Sequence, residues 1–101
     1  MRVEFEAKLW IWEARRDEGW TFVSLPAEES ALIREVTEGV VRRGFGSLRV
    51  RVTVGASTWT TSIFPGSGEG AYVLPIKRKI RTAESIEAGD VTSVTVELLD
   101  L

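Results

Sequence analysis

The chain has 101 residues, 44% of them hydrophobic, and its 13 Lys and Arg against 15 Asp and Glu give a net charge of −2. That length is one domain, spanning 1–101, with a modest core. It contains no Cys and no His, which excludes a disulfide framework, thiol chemistry, His-dependent triads and the usual zinc sites.

Residues 3–12 alternate. Val3, Phe5, Ala7, Leu9 and Ile11 share one face of a predicted strand, and Glu4, Glu6, Lys8, Trp10 and Trp12 share the other. The stretch "ARRDEG" predicts a turn, with Gly19 supplying backbone freedom, and "WTFVSL" at 20–25 a returning strand. Pro26 stops that strand and suits the first turn of a helix over 27–37. Glu28 and Glu29 complement the helix dipole there, and Leu32, Ile33 and Val36 form the expected buried stripe. A glycine-punctuated loop at 38–47 leads to "LRVRVTV" at 48–54, which places Leu48, Val50, Val52 and Val54 inward and Arg49, Arg51 and Thr53 outward. Gly55 and Ala56 turn the chain into "STWTTSIF" at 57–64, completing a hairpin. After "PGSGEG" come a short strand "AYVL", Pro75 and a basic helix on which Ile76, Ile80 and Ala83 form the apolar stripe. "EAGD" at 87–90 predicts a turn, and "VTSVTVEL" a closing strand whose opening "VTSV" suggests a bulge.

The segments "WTFVSLPAEESALIREV" and "GAYVLPIKRKIRTAESI" both run strand, Leu-Pro, helix. Two such units tied to hairpin strands predict a mainly β fold: a small barrel with a pseudo-twofold repeat and two short helices. "FEAKLWIWE…GWTFVSLP", "GFGSLRVRVTVG…TWTTSIFP" and "YVLPIKRKIRTAESIEAGD" resemble, across nearly the whole chain, a bacterial family of small domains of unknown function, found alone or fused to YdeI-type, bacteriocin-protection-like domains. The resemblance implies a double-split β-barrel related in fold to the AbrB and MazE DNA-binding proteins. AbrB-type barrels take two chains. The two units here imply a barrel completed by one copy, and hence a monomer rather than an obligate dimer.

Charge is distributed in blocks. Residues 1–38 carry −4, residues 39–83 carry +7 and residues 84–101 carry −5. Sheets often set opposite charges across neighbouring strands, so the chain ends are expected to pair with its middle. One cluster breaks a local rule. Lys77, Arg78, Lys79 and Arg81 load the start of the second helix with cations that oppose its dipole, where the first helix has glutamates. Either nearby carboxylates such as Glu69, Glu84 or the C-terminal block compensate, or the cations meet an anionic partner.

The candidate binding residues are therefore Lys77, Arg78 and Arg81, with Arg49 and Arg51 extending the basic surface and Trp59 and Tyr72 offering rings. The expected role is a non-enzymatic binding or interaction module for an anionic ligand. The alternatives are an AbrB-like nucleic-acid-binding regulator, a small-ligand or enzyme accessory domain with a pocket near Trp59 and Tyr72, and a partner of a YdeI-type protein. No cofactor is expected. "RRGFGS" and "PGSGEG" match neither a P-loop nor a dinucleotide fingerprint, and no acidic spacing resembles an EF-hand. "MRVEFEAKLW" lacks the apolar core of a signal peptide and no run approaches a membrane span, so a soluble cytoplasmic protein with no membrane partner is expected.

Overall fold

The computed structural model of the chain describes residues 1–14, 19–39, 46–66 and 70–99. In order they form β1 (Arg2–Lys8), β2 (Trp10–Ile11), β3 (Thr21–Ser24), α1 (Ala27–Val36), β4 (Leu48–Val54), β5 (Ser57–Pro65), β6 (Tyr72–Pro75), α2 (Arg78–Glu84) and β7 (Val91–Leu98). The strands make one antiparallel sheet in the order β1-β7-β4-β5-β6-β3-β2.

The two edges of that sheet are consecutive in the chain, with only Leu9 between β1 and β2. The stretch predicted as one strand over 3–12 is thus a single bent strand. Its first part pairs with β7 and its last two residues pair with β3. Leu9 makes the corner, buried, with its N–H donating to Asp90 O (2.9 Å) and its carbonyl accepting from Gly89 N (2.8 Å). β5 divides in the same way, pairing with β4 through Ser57–Ile63 and with β6 through Phe64 and Pro65. The sheet therefore curls into a barrel-like form around Val23, Leu25, Val50, Val52, Val54, Ile63, Tyr72, Leu74, Val94 and Val96. Inward valines in β4 and β7 follow from strict period-2 alternation.

Three local readings are corrected. The first helix buries Ser30 and Ile33, followed by Thr37 at its C-terminus, while Leu32 and Val36 are 45% and 42% exposed. Two small hydroxyl residues let the helix lie close to the sheet: Ser30 Oγ donates to Leu25 O (3.3 Å) and accepts from Tyr72 N (3.1 Å), and Thr37 Oγ1 donates to Ile33 O (2.7 Å). The second helix begins at Arg78 rather than just after Pro75, and Ala83 is exposed. Ile76 N instead donates to Thr21 O (2.9 Å), carrying the β6–β3 ladder past the proline. No bulge opens β7: its register with β1 is unbroken from Val91↔Lys8 to Glu97↔Arg2, and Val91 simply faces outward at 63% exposure.

Each helix holds the strand of the other segment through an arginine. Arg34 of α1 donates to Gly70 O, two residues ahead of β6, and Arg81 of α2 donates to Gly19 O, two residues ahead of β3. Both glycines have positive φ, +77° and +68°, a conformation that suits glycine and turns the carbonyl toward the helix.

Candidate functional site

The groove of interest lies between the start of β3 and the β6–α2 junction. Gly19, Trp20, Thr21 and Phe22 form one wall, Pro75, Ile76, Lys77, Arg78 and Arg81 the other, and the space between is about 260 Å³. Its floor is set by the ladder bond from Ile76 to Thr21, and Thr21 Oγ1 donates to Gly19 O (2.9 Å). Arg81 ties the walls together: its Nε donates to Ile76 O (3.0 Å) and its Nη2 to Gly19 O (3.2 Å). It is half-buried and spends its donors on backbone carbonyls, so it shapes the groove rather than standing open in it.

Lys77, Arg78 and Lys79 are exposed, and among the described residues no carboxylate pairs with them. Lys77 sits at the N-cap of α2 without a side-chain capping bond, and the first turn contains no acid. The carboxylate closest in sequence, Glu84, is engaged elsewhere: it accepts from Ser57 Oγ (2.6 Å) and Ala56 N (3.4 Å), holding the β4–β5 turn. A Cβ on Gly55 would lie 1.9 Å from its Oε1, so that turn has room only for glycine while the clasp holds. Glu69 lies outside the described residues.

Aromatic side chains line the approach. Trp20 is 44% exposed and meets Trp12, itself 42% exposed, at a centroid distance of 5.7 Å. Phe22 stacks on Trp10 at 5.1 Å, and Trp10 Nε1 donates to Ser24 Oγ (3.0 Å). The guanidinium of Arg78 lies against Gly19, with Nη2 3.9 Å from where a Cβ would stand there, next to Trp20 in the chain.

Of the sequence-predicted residues, the groove brings together Lys77, Arg78 and Arg81. Arg49 and Arg51 lie on β4, which β5 separates from β6, and neither lines it. Arg51 pairs with Glu97 at the directly opposed position of β7, the cross-strand pairing expected between the middle and the end of the chain. Trp59 is half-buried against the core. Tyr72 is fully buried, with the Arg34 guanidinium 5.6 Å from its ring centroid and a hydroxyl that has no hydrogen-bond partner among the described residues. Trp20 and Phe22 complete the groove. No sequence pattern links them to the basic helix, because β3 meets β6 only through tertiary antiparallel pairing, with Phe22 opposite Pro75.

Among the described residues no group of three or more acidic side chains could hold a metal ion, and no helix is long and apolar enough to cross a membrane. Fold and groove together define a small, mainly β domain with two helices and a curled, barrel-like antiparallel sheet. Residues 5–96 match the family model described as a domain of unknown function, DUF1905, and the chain belongs to that family. No curated protein matches it.

Proposed function

We propose that this domain is a non-enzymatic binding module that receives an anionic partner in the groove between β3 and the start of α2. The observation that carries this reading is the exposure of Lys77, Arg78 and Lys79 without a carboxylate partner among the described residues, in a chain of net charge −2. Cations in the first turn oppose the helix dipole by about 0.3–1 kcal/mol each. Among the described residues no carboxylate compensates for this, and a local rule broken in that way points to a partner outside the fold.

The fold reading that accompanies it is a single-chain double-split barrel with an approximate twofold axis. Exchanging β1/β2 with β5, β7 with β4 and β6 with β3 leaves the strand order unchanged. The β3–β6 register turns about Ser24↔Val73, residues that each stand two before their proline. The reciprocal arginine bonds to Gly19 and Gly70 obey the same exchange. Such a barrel needs no second chain, in keeping with a cytoplasmic monomer.

Kinship with AbrB and MazE, and with it duplex binding, is the second reading, favoured by the basic character of α2. A YdeI-type protein with an acidic face would dock on the same cations. An accessory domain with its pocket at Tyr72 is least supported, since that ring has no exposed surface.

The test is titration with tripolyphosphate, read by backbone amide shifts. Shifts are expected at 19–22 and 76–81, and the Lys77→Glu, Arg78→Glu double variant should lose them without any fall in its thermal midpoint. Shifts spread evenly over the surface, or unchanged in the double variant, would end the proposal.

A further inference from the structure

The anion-binding reading leaves the chemical class of the ligand open, and the groove narrows it. Its charged wall and its aromatic wall face one ligand-sized space. Gly19 and Trp20 are chain neighbours, with Cα atoms about 3.8 Å apart, and Arg78 lies against Gly19. Trp20, Lys77 and Arg78 thus line one groove. Trp20 is half exposed, yet its ring is steadied by Trp12, and Arg81 anchors the carbonyl of Gly19 just before it. A ring held in place this way loses little freedom when something flat stacks on it.

We propose that the groove binds a nucleotide, its phosphate between Lys77 and Arg78 and its base on Trp20. A phosphate alone would use the cations and make no use of the aromatic wall. An apolar ligand would use the rings and leave Lys77 and Arg78 without a charge partner in the groove. A planar base joined to a phosphate uses both walls.

The size of the site limits the ligand to about one such unit. At about 260 Å³, the groove falls just below the usual size of a ligand site, about 300–1,000 Å³. The basic surface is also short. Arg51 is neutralised by Glu97, Arg81 is committed to backbone carbonyls, and the cations lining the groove that have no carboxylate partner among the described residues are Lys77 and Arg78. A long strand or duplex is held by many phosphate contacts, and its affinity falls steeply with salt. Here one or two phosphates can be neutralised, so the logarithm of affinity should fall against the logarithm of salt with a slope of about −1 to −2.

The experiment compares four probes by calorimetry at several salt concentrations: inorganic phosphate, ribose 5-phosphate, adenosine monophosphate and a 5′-phosphorylated ten-nucleotide single strand. The mononucleotide is expected to bind about tenfold more tightly than ribose 5-phosphate, the effect of one stacked base. Trp20→Ala should erase that margin and Trp20→Phe should keep most of it, which separates stacking from damage to the fold. The single strand binding with the same shallow slope as the mononucleotide would identify a strand end as a second source of the same group. Equal affinity for ribose 5-phosphate and the mononucleotide overturns this inference and leaves anion binding standing. No binding of any probe overturns both. A strand that binds with a slope steeper than about −4 overturns the nucleotide in favour of an extended polyanion.

Discussion

After Pro26 the chain enters α1 at once, whereas after Pro75 it runs on through Ile76 and Lys77 before α2 begins. The strands before the two prolines pair with each other, and each helix reaches an arginine to the glycine ahead of the other's strand. From those shared parts two different surfaces arise. α1 is ten residues long, starts with Glu28 and Glu29, and is seated by Ser30 against both Leu25 and Tyr72. α2 is seven residues long, starts with cations and buries only Ile80. The two added residues explain much of the contrast. Ile76 takes the ladder position opposite Thr21, which pushes the helix start outward and leaves Lys77 and Arg78 at the groove rather than over the core. Both helices set few side chains on the core, Ser30 and Ile33 from α1 and Ile80 from α2, and they differ most in the charge of their first turns.

The largest effect that could break this comparison is core truncation in each helix. Ile33 has no exposed surface, and Ile33→Ala should cost about 2–5 kcal/mol in urea unfolding, by lost transfer energy plus the cavity left behind. Ile80→Ala should fall at or below the low end, about 2 kcal/mol, because Ile80 borders solvent on a short helix that can settle inward. Equal losses at the two sites would mean that α2 closes the core as fully as α1 does.

That difference was only partly legible in the sequence. Period-2 alternation located β1 and β4, and β-branched and aromatic composition located β5. Alternation did not reveal the corner at Leu9, since a strand can change partners without breaking its alternation. The stripe of α1 was misread for a chemical reason: Ser30 and Thr37 are polar by composition but buried, their hydroxyls satisfied by backbone groups, while the apolar Leu32 and Val36 face out. The cations of the second segment stood out at once, as did the contrast with Glu28 and Glu29. Their setting did not, because Trp20 joins them through tertiary pairing and because whether Glu84 reaches them or Ser57 depends on where the β4–β5 turn ends up.

The two arginines sharpen the comparison at an intermediate scale. Both bond a glycine carbonyl, but Arg81 is half-buried and makes a second bond to Ile76 O, while Arg34 is exposed. Arg81→Met should therefore cost about 1–2 kcal/mol, and Arg34→Met about 0.5–1 kcal/mol, since hydrogen bonds from charged groups weaken with solvent access. Amide exchange would add a second readout: protection at Trp20–Phe22 should drop in the first variant and at Tyr72–Val73 in the second. If one substitution loosens both segments, the clamps do not act separately and the twofold reading loses a support.

The smallest expected effect has the opposite sign. Arg78→Glu with Lys79→Glu gives α2 the acidic first turn that α1 already has. Each change replaces an unfavourable charge–dipole contact by a favourable one, at about 0.3–1 kcal/mol per site when exposed. Among the described residues neither side chain gives up an ion pair, so nothing offsets that gain. The double variant should thus unfold at slightly higher urea than the parent, with the margin shrinking as salt screens it. Anion binding should fall in the same variant. Higher stability with lost binding is what a helix start shaped by a ligand predicts, because the cations then persist in spite of the fold. A double variant less stable than the parent would show that Arg78 and Lys79 serve the fold after all, and the two segments would differ in structure alone.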